Sequence, residues 1–164
     1  MIEIIERITL VIFFVLPLYI TNMSLLIYWN IRGGSKKLQK IDPIINGKYF
    51  GEHRTFLGLV LIIILISLIV LLQNRGIELA TVFSIGFILG NLGSSFIKRR
   101  LNMKSGAPFP FLDQWDFIIG PQIIYFIVYN QIFPDILLIL SITFVIHLGL
   151  NMIAFKLKLK DTWW

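Results

Sequence analysis

The chain contains five long apolar stretches, and its polar residues are concentrated in the segments between them. A helix that crosses a membrane needs about 17–25 mostly apolar residues, and each stretch has about that length. The strict alternation of a membrane β-barrel is not seen, and backbone groups in lipid must be bonded within their own segment. We therefore predict an all-α integral membrane protein, a bundle of five transmembrane helices. The predicted spans are Ile8–Trp29, Phe56–Leu72, Ile77–Ile97, Phe117–Phe133 and Pro134–Phe155.

Composition supports this class of protein. Of the 164 residues, 57% are hydrophobic and only 15% are charged, whereas soluble domains average about 45–50% apolar and about 25% charged residues. The chain has no Cys, which excludes a disulfide scaffold, a thiolate zinc site and a Cys nucleophile. No internal repeat or linker is visible, so we expect a single membrane domain over residues 1–164.

The basic residues predict the orientation in the membrane. Residues 1–7 carry two acids and one base, unlike a signal peptide, so the first helix is read as retained. With five spans, thirteen of the fifteen Lys and Arg residues fall on one side, and such an excess marks the cytoplasmic side. The net charge of +6 is therefore attributed to topology, with no nucleic-acid partner. We predict a multi-pass protein of the cell membrane with its N-terminus outside, its C-terminus inside and its polar site facing the cytoplasm.

The third predicted helix has two distinct faces at 100° per residue. One face carries Ser84, Asn91, Ser95 and Lys98, and the opposite face carries Gly86, Gly90 and Gly93. The spacing of Gly86 and Gly90 lets two membrane helices approach closely. Hydroxyls in membrane helices often bond back to the preceding turn, but an amide such as Asn91 needs partners in hydrocarbon. We expect the glycine face to pack on a helix and the polar face to line a hydrated space. The same glycine face leaves a homodimer possible.

Charged residues follow this helix in two groups. Lys98-Arg99-Arg100 ends it, and Asp113 and Asp116 stand three residues apart where the fourth helix begins. The basic triplet alone is typical of an interfacial anchor, and the acids alone are typical of a helix N-terminus. Two carboxylates on one face also suit Mg²⁺, which takes oxygen ligands and is often bound together with substrate phosphates.

Two further segments carry candidate polar groups. The loop before the second helix, residues 46–55, combines turn glycines with bases and a hydroxyl, as in a phosphate clamp or an ordinary solvated loop. In the fifth predicted helix Thr143, His147 and Asn151 recur every four residues. Such a stripe should face the bundle interior, where hydrogen bonding between helices explains it as well as a catalytic role does.

These segments resemble a known enzyme family. Ser95–Arg100, followed by Gly106, Pro110 and Asp113–Asp116, is similar to the signature of membrane CTP:phospholipid cytidylyltransferases, and more closely to its short archaeal branch, the CDP-archaeol synthases. Further similar segments are Tyr19–Met23, Ile41–Lys48, Gly51–Gly58, His147–Asn151 and the tail at residues 158–163.

The resemblance implies a reaction and roles for residues. The phosphate of an unsaturated archaeal ether lipid would attack the α-phosphorus of CTP, with Mg²⁺ required, and would yield a CDP-lipid and pyrophosphate. By analogy Asp113 and Asp116 would bind the metal ion, while Lys98 and Arg99 would contact phosphates. The expected substrate-binding residues are Lys48, Gly51, His53, Arg54, Thr55, Asn91, Ser95, Arg100, His147 and Asn151.

The chain departs from the family pattern at one important position. The family places an acid after the third-helix glycine, where this chain has Asn91. An amide carbonyl can still ligate a cation, so Asn91 is a third candidate ligand, but the site would hold two carboxylates instead of three. This difference motivates a second hypothesis, a non-catalytic relative that binds lipid or nucleotide. If the protein is an enzyme, phosphatidate is an alternative lipid substrate. A third hypothesis for the protein is a small transporter.

Overall fold

The computed structural model describes residues 2–104, 107 and 109–158. Within them the chain forms seven helices and no named strand. The helices are α1 (Ile2–Gly33), α2 (Lys36–Ile41), α3 (Gly47–Phe50), α4 (Phe56–Leu72), α5 (Gly76–Arg100), α6 (Leu112–Tyr129) and α7 (Ile136–Lys156). Gly106 of the signature and the tail from residue 159 lie outside the described residues.

The five long helices occupy the five predicted stretches. Three of them, α1, α5 and α7, are long and apolar enough to cross a membrane, and α4 is a shorter apolar helix. The first turns of α6 are polar, because they contain Asp113, Gln114 and Asp116. The chain is therefore an all-helical protein of membrane type, and the number of spans and their orientation stay predictions.

The last two helices end at other residues than the predicted apolar spans. Helix α6 begins at Leu112, so the two acids form its first turns, ahead of the span predicted from Phe117. It ends at Tyr129, not at Phe133, since Asn130 adopts a left-handed backbone with a φ of 52°. Helix α7 begins at Ile136, not at Pro134, after Asp135 adopts the same conformation with a φ of 53°.

Side-chain caps define the loop between α1 and α4. Asn46 accepts hydrogen bonds from the amides of Lys48 and Tyr49 and so begins α3. Thr55 accepts from the amide of Gly58 and begins α4. Such caps satisfy amides that a helix leaves without an internal partner. An isolated antiparallel bridge between Ile44 and Thr55 then joins the two ends of the loop.

Helices α5 and α6 meet through their backbones. A Cβ atom added at Gly90 would lie 2.1 Å from the carbonyl oxygen of Asp116, and one at Gly120 would lie 2.1 Å from the carbonyl oxygen of Gly86. The predicted packing face is thus confirmed for Gly86 and Gly90. Gly93 was wrongly included, because a Cβ atom there would meet nothing within 4 Å.

Replacing Gly90 with Ala should destabilise the fold, whereas replacing Gly93 with Ala should not. A methyl group at Gly90 overlaps a backbone atom that no rotamer change can move, and overpacking of this kind costs about 1–3 kcal/mol or more. At Gly93 the change removes only unfolded-state freedom, which favours folding by about 0.4–1 kcal/mol. Thermal unfolding in detergent checks both variants, and equal midpoints for the two would contradict the close approach.

Candidate functional site

The contact between α5 and α6 places a hydroxyl against a carboxylate. Ser94 lies one turn after Gly90, and its Oγ donates a hydrogen bond of 2.5 Å to Oδ2 of Asp116. The same oxygen lies 3.2 Å from the carbonyl oxygen of Asn91. Ser94 is 4% exposed, so this pair sits inside the helix contact.

One turn further along α5 a cation meets the other carboxylate. Nζ of Lys98 lies 2.9 Å from both carboxylate oxygens of Asp113. The amide of Phe109 also donates to Oδ2 of Asp113 over 2.8 Å. A hydrogen-bonded ion pair of this kind holds both side chains in one geometry. Lys98 is therefore paired with the first carboxylate of the acidic pair.

Arg54 reaches the site from the first loop. Its Nε donates to Oγ of Ser95 over 2.9 Å and to the carbonyl oxygen of Asn91 over 3.3 Å. Burial lowers the pKa of Arg54, and the nearby negative charges of Asp116 and Asp113 act in the opposite direction. Two cations, two carboxylates and two hydroxyls thus converge where the loop meets α5 and α6.

The loop that carries Arg54 is anchored by a buried carboxylate. Asp42 is 0% exposed, and its Oδ1 accepts the amide of Leu57 over 2.8 Å. Its Oδ2 accepts the hydroxyl of Tyr28 and lies 3.2 Å from Nε of Arg32. Burial raises the pKa of Asp42, but these hydrogen bonds, one from Thr55 and the Arg32 charge together lower it below its ordinary value. Asp42 is therefore an ionised group inside the protein.

His53 stands beside Arg54 and is partly exposed. Its ring lies edge to face on Trp29, with the centroids 4.7 Å apart. Burial against its neighbours lowers the pKa of His53 to about 4, and the positive charges of Arg54, Lys98, Arg99 and Arg32 add to the shift. His53 is therefore neutral at pH 7 and faces a cluster of cations.

The other predicted residues take varied positions. Nη2 of Arg99 donates to the carbonyl oxygen of Lys104 over 2.8 Å. Gly51 ends α3 with a positive φ of 77°, and Thr55 serves as the cap of α4. Lys48 and Arg100 both lie over the ring of Tyr49, and Arg100 also lies over Phe96.

The predicted stripe on α7 is buried as expected. Nδ2 of Asn151 and Nδ1 of His147 lie 3.1 Å apart, and the His147 ring stacks on Phe117. Thr143 is hydrogen-bonded to Tyr19 over 2.6 Å. These contacts place the stripe on the side of α7 that packs against α1 and α6. Its predicted role in binding substrate stays a prediction.

Sequence reasoning missed Ser94 and Asp42. Ser94 was overlooked because it lies off the polar face of α5 and next to the glycine face, where it bonds Asp116. Asp42 was quoted as part of a similar segment but received no role. The available signal was an acid, one of only two with Glu52, in a loop that is otherwise basic, since a carboxylate there can bind several donors.

An apolar groove adjoins the site. It has a volume of about 620 Å³ and runs between α5 and α6, lined by Leu89, Ile97, Phe109, Ile119 and Ile123 among others. Ser94 and Asp116, together with the indole N–H of Trp115, are the polar side-chain groups among the described lining residues. Leu89 and Ile123 are each 53% exposed on the outer surface of the bundle, so the groove is open to the surroundings of the helices.

The donor set fits a metal ion only together with a substrate. Among the described residues, no group of three or more His, Cys, Asp or Glu side chains is placed to hold a metal ion. Asp113 and Asp116 offer carboxylate oxygens at the site of Ser94 and Lys98. Mg²⁺ is typically bound by one or two carboxylates, waters and substrate phosphates. The residues present therefore suit a cation that arrives with phosphates.

Comparison with known proteins gives a consistent result. The family described as CarS-like, CDP-archaeol synthase, matches residues 1–164. The CDP-archaeol synthase of Methanocaldococcus jannaschii is 34% identical over 170 residues, which cover 92% of this chain and 94% of its own length. The one from Methanothermobacter thermautotrophicus is 35% identical over 94% of this chain and 92% of its own. The Picrophilus torridus protein is 32% identical over 93% and 95%. No solved structure matches the chain at a significant level.

The imidazole of His53 should stay neutral down to about pH 4. Because the unfolded chain takes up this proton near pH 6.5, folding stability due to His53 is present above pH 6.5 and is lost as pH falls through about 4. Nitrogen NMR of labelled histidine, with His147→Gln for assignment, measures the titration. Arg54→Gln should raise the pKa of His53, because it removes the positive charge with the largest effect on that pKa. A His53 pKa near 6.5 in the unaltered protein would contradict the cationic surroundings.

Proposed function

The chain belongs to the CDP-archaeol synthase family, a family of nucleotidyltransferases, and from that premise we propose that it transfers the cytidylyl group of CTP to an archaeal ether-lipid phosphate. One phosphate oxygen of the lipid forms a bond to the α-phosphorus of CTP. The bond from that phosphorus to the bridging oxygen breaks, and pyrophosphate leaves. The observation that supports this proposal best is the convergence of Arg54, Lys98, Asp113 and Asp116 beside an apolar groove.

The site matches what phosphoryl chemistry needs from a protein. A lipid phosphate is already anionic at neutral pH, so no protein nucleophile is required, and catalysis rests on positioning and on stabilising negative charge. Arg54 offers a fixed cation whose Nε is already oriented by Ser95. Lys98 offers a second cation, oriented by Asp113. Both side chains are placed before substrate arrives, which lowers the reorganisation needed in the transition state.

We propose that Mg²⁺ accompanies the triphosphate and that Asp113 and Asp116 hold it. Such an ion supplies charge neutralisation for phosphate oxygens and for the leaving group. Ser94 keeps Asp116 oriented through its 2.5 Å hydrogen bond. Asn91 is the third candidate ligand. Its backbone carbonyl oxygen already accepts a hydrogen bond from Arg54 and lies near Ser94. This contact with Arg54 uses the backbone, so it is the same whether the side chain is an amide or a carboxylate.

The groove between α5 and α6 supports a lipid as the second substrate. It is lined mainly by apolar side chains, and Ser94 and Asp116 are among its lining residues. A chain lying between Ile119 and Ile123 would place its polar head at these residues while the chain stays among apolar groups. Lateral entry from the bilayer follows from the exposure of Leu89 and Ile123.

The acidic pair should be essential for the reaction. We expect Asp116→Asn and Asp113→Asn each to lower CTP-dependent CDP-lipid formation by about 10–100-fold, a loss typical of supporting groups at metal sites. Asp135→Asn, which removes the partner of Arg7 at the far end of the bundle, is the matched control and should keep activity. Mass spectrometry of the lipid product and release of pyrophosphate are the measurements.

The same assay separates the enzyme from a non-catalytic relative. The unaltered protein should release pyrophosphate with CTP, Mg²⁺ and an ether-lipid phosphate, and should use phosphatidate less well. Binding of CTP without release of pyrophosphate for any lipid phosphate would favour the non-catalytic alternative. Near-full activity of Asp116→Asn would instead refute the role given to the carboxylates.

Filling the groove should weaken use of the lipid and spare use of CTP. We expect Ile123→Trp to raise the KM for the lipid phosphate about tenfold or more, because a bulky ring occupies space that the chain needs. The KM for CTP should stay within about twofold, since the added ring lies away from Arg54 and Lys98. Val145→Trp, on the exposed surface of α7, is the control. Equal effects on both substrates would place the lipid elsewhere.

A further inference from the structure

The Asp42 carboxylate joins three parts of the chain that are distant in sequence. From α1 it binds the Tyr28 hydroxyl and pairs with Arg32. From the first turn of α4 it accepts the Leu57 amide over 2.8 Å and the hydroxyl of Thr55. The backbone carbonyl oxygen of Asp42 accepts a hydrogen bond from Nη2 of Arg32 over 2.7 Å. A fully buried carboxylate with this many donors is held in one place.

This attachment controls where the segment containing Arg54 runs. Ile45 lies three residues after Asp42, and its amide donates to the carbonyl oxygen of Arg54 over 2.9 Å. The next residue, Thr55, forms the bridge with Ile44 and is bonded to Asp42 itself. Arg54 is therefore held by its backbone from one side while its Nε bonds Ser95 on the other.

A second path links the same groups to the segment. The guanidinium of Arg32 lies 4.8 Å from the centre of the Trp29 ring. The Trp29 ring also packs against His53, with 4.7 Å between the ring centroids. Fixing Arg32 through Asp42 thus also fixes the ring on which His53 packs. Both residues that precede Thr55 are positioned from α1.

We propose that Asp42 is a positioning residue that sets the place of the Arg54 guanidinium in the triphosphate site. It acts through the loop and touches neither substrate. This inference rests on the proposed function, in which Arg54 binds phosphate. A carboxylate is needed because all of its side-chain partners are donors, and the amide of Asn would turn an N–H toward one of them.

A double-mutant cycle tests whether Asp42 acts through Arg54. We expect Asp42→Asn to lower kcat/KM for CTP at least about tenfold, with the KM for the lipid phosphate nearly unchanged. In the Arg54→Ala background the same change should have less than about a twofold further effect, because the group that it positions is gone. Tyr28→Phe, which removes one donor, should show a smaller loss of the same kind. Independent, multiplicative losses would overturn the proposal, since general destabilisation acts on either background.

A crosslinking experiment keeps the inference testable apart from activity. The chain has no Cys, so Tyr49→Cys and Phe96→Cys introduce one pair where two stacked rings lie 6.4 Å apart, on α3 and α5. Asp42→Asn should slow crosslinking of this pair by a short bifunctional thiol-reactive reagent such as a bis-maleimide at least about fivefold, because the loop leaves α5 more often. Asp135→Asn, which removes the partner of Arg7 near the start of α1, should leave the rate unchanged.

The activity measurements and the crosslinking measurements would fail for different reasons. If the protein turns over no CTP with any lipid phosphate, the proposed function is wrong and the crosslinking rates alone decide the role of Asp42 in placing the loop. Equal crosslinking rates in Asp42→Asn and in Asp135→Asn would overturn the positioning role, whatever the activity.

Discussion

The backbone contact of α5 with α6 at Gly90 and Gly120 is the constraint on which the candidate site depends. In lipid, apolar side chains gain little by meeting each other, and small residues let backbones approach closely enough to pack. Once Gly90 lies against the carbonyl of Asp116, the register of the two helices is set. Successive turns of α5 then meet preceding turns of α6, so Ser94 reaches Asp116 and Lys98 reaches Asp113.

The opposite side of α5 receives its partner from a loop. Arg54 bonds Ser95 and the carbonyl of Asn91, and it does so because the loop is tied to α1 and α4 through Asp42. The anions of the site thus come from the helix contact and one of its cations from the loop. A negatively charged substrate that enters between them meets groups whose positions are set by separate parts of the fold.

Residue patterns predicted the elements better than their contacts. The length of the apolar stretches located all five long helices, and the spacing of Gly86 and Gly90 identified a real packing face. The same helical wheel assigned Gly93 to that face and left out Ser94, because periodicity says which residues share a side but not how wide the contact with a neighbour is. Asn91 was singled out for its amide, whereas its carbonyl makes the contacts.

By itself the sequence determined that this protein is helical and of membrane type, that its bases are concentrated in a few loops, and that two acids open its sixth helix. These properties follow from local composition and period. Only the tertiary structure decided that Ser94 orients one acid, that Lys98 pairs with the other, and that Asp42 is buried among donors from α1 and α4. Those pairings join residues far apart in the chain, and they depend on helix register and loop path, which no local pattern encodes.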